Sequence, residues 1–499
     1  MNFSLPWPTG TPFWLRWSWH QWLAGLLLIL LGCLNLIWPL PTLMLSVALI
    51  LLVLFLIRPY LVLLTIIFLI GFECIGIEYT FLPRIDALGT TPFYLMSVLG
   101  LLCWGMARAA GLTEPYQSTS LDLPLFIFWL TGLVALLWTS SWIDGITLVV
   151  FHTMSYCLYL LISALNTTPP KVERLFWLLF GLGNLTILTT FATFFFGYKE
   201  LIHLTDNITL SITIFKFDGT RGSLSGTMRV AKAISGIFNV SIFCGLGLLY
   251  TRTSTRARLL IFLSVLVMVF LHTLTLSRAE TMGLIVGWLA FVHLNEEWRY
   301  ARVRQYLYML VTALGIVLVL IAMLGIFYHL EEFMARSAGQ EYTVGGYRFS
   351  AAQARVDHML YALRTIWETG GLGAGAAGIM RGMDPTVSTQ SPSLYFSFLT
   401  EHGYGLLSLI LMGWIIANLI IELRWALHNC PDPRLKIFII SICAALVVYA
   451  TAGTLDHIYY NYEMWLLLGF AVAAVKAVRY LLKSSPPITE VCLKPPPVT

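Results

Sequence analysis

The stretch Ile437-Phe438-Ile439-Ile440-Ser441-Ile442-Cys443-Ala444-Ala445-Leu446-Val447-Val448-Tyr449-Ala450-Thr451-Ala452-Gly453-Thr454 contains no Asp, Glu, Lys or Arg. As a helix rising ~1.5 Å per residue it covers most of a hydrocarbon core roughly 30 Å thick. Arg434 and Lys436 precede it, and the short segment after it, 455–461, carries neither lysine nor arginine. The run therefore reads as a membrane span with one basic flank. Working outward, similar runs are expected at about 22–40, 41–57, 60–77, 92–107, 122–139, 146–165, 175–196, 233–250, 259–276, 281–294, 306–328, 403–422 and 463–482. The pairs within 22–57 and 259–294 are tightly joined, so the expected count is 12 to 14 spans.

The composition agrees. Of 499 residues, 58% are hydrophobic and 11% charged, against roughly 25% charged in soluble proteins. The mean hydropathy is +0.80. A disordered chain, a fibrous repeat and an ordinary cytosolic enzyme are excluded. The net charge of +5 is not gathered into a basic run interleaved with aromatics, so nucleic acid is not an expected partner. Six of the eight cysteines lie in apolar runs and read as small buried side chains. The proline- and aromatic-rich start of the chain does not resemble a cleavable signal peptide.

With the N-terminus inside, the short inside segments are all basic. They carry Arg58, Arg108, Lys171 with Arg174, Arg252 to Arg258, and Arg299 to Arg304. The series continues through Arg424 to Lys436 and ends with Lys476 to Lys494. The short outside loops 39–42, 140–145 and 455–461 have no lysine or arginine. This follows the positive-inside rule. It predicts one all-helical polytopic membrane domain over 1–483, with both termini cytoplasmic, a large, partly helical extracytoplasmic loop at 329–402, and a proline-rich disordered tail at 484–499.

Three outside segments break the apolar pattern. Loop 197–232 contains Arg221-Gly222-Ser223-Leu224-Ser225-Gly226-Thr227, whose glycines and hydroxyls around an arginine suit an anion-binding concavity or, equally, a solvated loop. The turn Ser277-Arg278-Ala279-Glu280 places charges between two apolar runs, either as a functional site or as a local ion pair. Loop 329–402 has five arginines and no lysine, and a guanidinium fork holds phosphate bidentately. Seven acids share that loop. Residues 349–368 lack Gly and Pro and are expected to be helical, with Arg348 and Arg355 on one side and His358 near them. Arg364 and Glu368, spaced i,i+4, are expected to pair with each other. The following Gly370-Gly371-Leu372-Gly373-Ala374-Gly375 lacks the context of a nucleotide loop and is expected to let backbone approach a head group. No Asp-x-Asp pair, His-Glu-x-x-His zinc helix or Gly-x-Ser-x-Gly elbow is present in the sequence, so no metal or cofactor is expected.

Taken in order, these segments resemble the O-antigen ligase and O-antigen polymerase family of bacterial envelopes. Arg221-Gly-Ser-Leu-Ser-Gly-Thr before a span is similar to the family's Arg-x-x-Gly-Thr segment. Leu276-Ser277-Arg278, the run from Arg355 through Trp367 to Gly371-Leu372-Gly373-Ala374-Gly375, and Ser393-Leu394-Tyr395 through Glu401 to Gly403 complete the likeness over about 200–425. The resemblance implies a metal-independent membrane glycosyltransferase of the bacterial inner membrane. Its donor would be undecaprenyl-diphosphate-linked glycan, and its acceptor a second lipid-linked repeat or another acceptor. Arg221, Arg278, Arg348 and Arg355 would hold the diphosphate. The family's His-Asn is replaced here by Gln390-Ser391-Pro392-Ser393, so the base role falls to His358, Glu401 or His402. Arg221, Arg278 and Arg355 are expected to converge on one outward cavity, with 349–368 lying as a helix over the bundle mouth. The competing expectations are a transporter of lipid-linked glycan or a small anion such as bicarbonate, and a structural scaffold.

Overall fold

The computed structural model describes residues 52–72, 75–79, 92–139, 142–193, 198–205, 208–214, 231–252, 254–275, 277–295, 341–344, 347–350, 360, 363–373, 375, 405–455 and 462–484. Its helices are α1 Tyr60–Ile70, α2 Pro92–Ala109, α3 Asp122–Val134 with the 3-10 turn Ala135–Trp138, α4 Trp142–Leu165 and α5 Pro169–Thr193. They continue with α6 Ala231–Thr251, α7 Thr255–Leu274, α8 Arg278–Leu294, α9 Leu406–Asn429, α10 Pro433–Leu455 and α11 Tyr462–Ser484. Seven of these, α4 to α7 and α9 to α11, are long and apolar enough to cross a membrane; α1, α2, α3 and α8 are shorter apolar helices. The chain is a multi-pass helical bundle. The expected spans 22–40 and 306–328 lie outside the described residues, and of 41–57 only 52–57 are described, as helix.

Between helices in lipid, close packing replaces the hydrophobic drive that holds soluble proteins together. The α8–α10 contact depends on this. Gly283 and Gly287, four residues apart, face Ala444, Val448 and Ala452. A Cβ on Gly283 would lie 2.7 Å from the Val448 carbonyl oxygen, and one on Gly287 2.9 Å from that of Ala444. Helix α11 is the central post, with every residue from Tyr462 to Val478 buried. Its Gly469 abuts the Tyr159 carbonyl of α4, where a Cβ would stand 3.1 Å away. On the periphery, Leu259, Leu260 and Leu263 of α7 are exposed, as lipid-facing side chains should be.

Among the described residues, the basic segments gather at one end. Arg252 pairs with Glu173, Arg479 with Glu422, the Ser120 hydroxyl donates to Glu422, and Lys476 donates to the Ser163 carbonyl. These contacts tie together residues 110–121, 165–174, 250–258 and the basic ends of α9 and α11, which the span count places on a common side.

Three expectations about local structure are corrected. The run 60–77 is helical only to Ile70, and Ile75–Tyr79 is strand β1. Within the expected loop 197–232, β2 Tyr198–Thr205 and β3 Ile208–Ile214 form a hairpin. β1 joins it antiparallel, Ile75 opposite Ile212 and Tyr79 opposite Ile208, giving the order β1-β3-β2. The alternation Ile208-Thr209-Leu210-Ser211-Ile212-Thr213-Ile214 is the physical reason, because period-two patterning of β-branched residues builds strands. Finally, Phe349 and Ser350 belong to a strand, not to a helix over 349–368. β4 Glu341–Val344 pairs with β5 Tyr347–Ser350, and Arg348 lies opposite Thr343. Gly345-Gly346 between two β-favouring runs is a hairpin signal that outweighs the absence of Gly and Pro downstream. Arg348 therefore shares no helix face with Arg355.

Candidate functional site

At the end opposite the basic one, α6, α8 and α11 begin and α7 ends. The first turns of α6 present Ser235, Gly236 and Asn239, whose spacing puts them on neighbouring files of one helix face. The Asn239 amide donates to Glu280 Oε2 at 2.6 Å. Glu280 is the third residue of α8 and is buried. Thr275, the residue after α7, donates to the His272 carbonyl at 2.7 Å. Its single proton is thus committed, so Ser235 is the donor in the 2.6 Å Ser235–Thr275 contact.

Gly236 makes room for a second carboxylate. An added Cβ there would meet Glu463 Oε1 at 2.8 Å. Glu463 is the second residue of α11 and is also buried. Tyr449 of α10 lies within electrostatic reach of Glu463, Glu280 and Tyr94. One wall is aromatic: Phe93 packs edge-on against Tyr462 at 4.7 Å, and Tyr94 against Phe151 at 5.1 Å. Both carboxylates sit in the first turn of a helix, where free backbone N–H groups favour negative charge. The result is a buried polar nest fed by five helices, with two acids held at helix N-termini.

Of the residues expected to act, Arg278 is the first residue of α8 and so opens the helix that carries Glu280. The Glu280 carboxylate accepts from Asn239 of another helix, so it also ties α8 to α6. Arg348 lies on β5. Arg221, Arg355, His358, Glu401 and His402 lie outside the described residues, and so does the expected convergence of Arg221 and Arg355 with Arg278. Arg364 and Glu368 pair at 2.7 Å on an exposed helical turn, as their spacing predicts.

Part of the glycine stretch packs closely on neighbouring backbone. Gly370, Gly371, Gly373 and Gly375 all have positive φ. The Leu406 amide donates to the Gly371 carbonyl at 3.2 Å. A Cβ on Gly375 would lie 2.6 Å from the Thr139 Cα. At Gly371 and Gly375 the backbone approaches other backbone, at the start of α9 and the end of the 3-10 turn.

A second polar cluster closes the basic end. Asp122 accepts from the Tyr116 hydroxyl at 2.8 Å, the Tyr159 hydroxyl at 2.6 Å and the Thr119 amide at 2.7 Å. Lys476, buried, lies 3.8 Å from the centre of the Tyr116 ring. Arg479 holds both Glu422 oxygens at 2.7 Å. Burial, and then Asp122, push the Tyr116 phenol well above its ordinary pKa. Through these bonds the cluster clamps the 113–121 segment onto α4, α9 and α11.

Sequence reading passed over Asn239, Tyr449 and Glu463. Only Glu463 carries a local signal, a lone carboxylate at the mouth of an otherwise apolar span. Among the described residues, no group of three or more His, Cys, Asp or Glu side chains is placed to hold a metal ion. Fold and site together define a multi-pass membrane protein with a buried acidic nest at the end opposite its basic loops. The chain matches no protein-family model and no curated protein.

Proposed function

We propose that this chain is a membrane glycosyltransferase of the O-antigen polymerase and ligase type. It moves a glycan from undecaprenyl diphosphate to a second lipid-linked repeat or another acceptor during cell-surface polysaccharide synthesis. One observation carries the reading: the motif-bearing segments lead into the same end of the bundle. Arg278 opens α8, the Arg221 segment leads into α6, and Glu401-His402-Gly403 leads into α9. Asn239 joins α6 to α8 at that end through Glu280. The positive-inside rule puts this end outside the bacterial inner membrane.

In the reaction, an acceptor hydroxyl attacks the anomeric carbon and the bond from that carbon to the diphosphate oxygen breaks. The diphosphate leaves with the electron pair, and the hydroxyl proton passes to a base. Arg221, Arg278, Arg348 and Arg355 neutralise the leaving group, a role that bidentate guanidinium geometry suits. His358, Glu401 or His402 takes the proton. Glu280 acts as a positioning residue, fixing the first turn of α8, the helix that Arg278 begins. A transporter of lipid-linked glycan or a small anion is the alternative. Transport sites gather near the bilayer midplane on broken helices, whereas Glu280 and Glu463 occupy the first turns of unbroken ones.

Deletion of the gene followed by analysis of surface glycan tests the reading. Loss of long chains identifies a polymerase, and accumulation of unattached chains a ligase. Unchanged surface glycan, with lipid-linked precursor at its normal level, would reject both.

A further inference from the structure

A cavity of about 550 Å³ lies between α3, α9, α10 and α11, within the ~300–1,000 Å³ common for small-molecule sites. One wall is a single file along α9: Met412, Ile416, Ile420 and Arg424, each four residues from the last. The opposite wall includes Val447 and Ala450 of α10. Ile416 and Ile420 are also exposed on the bundle surface, so the groove opens sideways to the bilayer.

The file is apolar until it ends on a cation. Arg424 is exposed and has no ion-pair or hydrogen-bond partner among the described residues. Its neighbour Glu422 is closed off by Arg479 and Ser120 and leaves Arg424 uncompensated. From Met412 to Arg424 the helix rises about 18 Å at ~1.5 Å per residue. That is close to the depth of one leaflet, half of a core roughly 30 Å thick. Arg424 stands toward the basic end, which also carries Arg434 and Lys436, both exposed.

We infer that this groove binds an anionic phospholipid of the leaflet at the basic end, one acyl chain along Met412, Ile416 and Ile420 and the phosphate on Arg424. The apolar file matches the chain in length and chemistry, and the free guanidinium complements the head group. This site lies away from the acidic nest and does not rest on the proposed glycosyl transfer. A lipid seated there would fill the seam between α9 and α10.

The test uses the full-length protein released from nanodiscs containing equal amounts of phosphatidylglycerol and phosphatidylcholine, read by native mass spectrometry. The wild type should retain phosphatidylglycerol in preference, by roughly fivefold, the effect expected of one cation near anionic lipid. Arg424→Gln should abolish the preference and Arg424→Lys should keep most of it. Ala450→Trp, which fills the groove, should release the lipid whatever its head group. Several results would overturn the site. They are an Arg424→Gln protein that still prefers phosphatidylglycerol, an Ala450→Trp protein that retains lipid unchanged, and a wild type that emerges bare. A lipid-free dimer, or a polyprenyl diphosphate held in place of the phospholipid, would also overturn it.

Discussion

At the scale of single residues, the two polar clusters differ in what they leave open. Glu422 is buried and receives both Arg479 bonds and the Ser120 hydroxyl. Because about a third of the Arg479 side chain remains exposed, solvent screening holds the pair well below a fully buried one. Glu422→Gln should lower stability by about 2 kcal/mol, the scale of a lost charge-assisted hydrogen bond; equal thermal unfolding of variant and wild type in detergent would refute this. Tyr116 supplies a pH test. Its folded pKa is raised, so its contribution is fully present below the unfolded value of about 10 and is lost as pH rises beyond it. Thermal stability should therefore decline more steeply above about pH 10 in the wild type than in Tyr116→Phe. Parallel curves would remove the role given to that phenol. At the opposite end, Arg278→Lys should impair glycan transfer despite keeping the charge, since lysine cannot form the planar fork. Full activity would argue against diphosphate contact by Arg278.

At the scale of elements, the spans were legible and their contacts were not. Charge-free runs of span length need only the bilayer to become helices, so α4 to α7 and α9 to α11 follow from composition. The hairpin β2–β3 was equally legible, since Ile208 to Ile214 alternates perfectly, although Lys199, Glu200, Asp206 and Lys216 in and around it have the look of a solvated loop. β1 was not legible. Ile75-Gly76-Ile77-Glu78-Tyr79 becomes a strand because β3, more than a hundred residues later, pairs with it. The contacts of the acidic nest have the same origin: the Asn239–Glu280 bond and the close approach of Glu463 to Gly236 bring together residues that no local pattern links. The α8–α10 contact gives a prediction at this scale. Gly283→Ala places a methyl 2.7 Å from a backbone oxygen and must part the helices, an overpacking cost of ~1–3 kcal/mol. Gly413→Ala, on α9 with open space around it, should be neutral or slightly stabilising. Equal melting of the two variants would show that the glycine seam does not govern packing.

At the scale of the whole molecule, the decisive property is which end faces outward. Internal contacts alone establish two ends. Glu422, Arg479, Ser120 and Lys476 bind one, while the Asn239–Glu280 bond and the β1–β3 pairing occupy the other. Which end is outside rests on a separate argument, the cost of moving lysine and arginine loops across the membrane. The proposed chemistry requires the acidic nest to face away from the cytoplasm, and the lipid inference requires Arg424 to face the opposite leaflet. Single cysteines at Ser118, in the clamped segment of the basic end, and at Gly370, in the glycine turn near the start of α9, separate these requirements. Both positions are exposed. A membrane-impermeant thiol reagent applied to intact spheroplasts should modify the cysteine at 370 and spare the one at 118 until the membrane is opened. Each variant is made in a chain whose two cysteines outside the apolar runs, Cys430 and Cys492, are replaced by serine to silence the background. The reverse labelling would turn the nest toward the cytosol and remove the outward glycosyl transfer. It would leave the groove intact and move its anionic lipid to the outer leaflet.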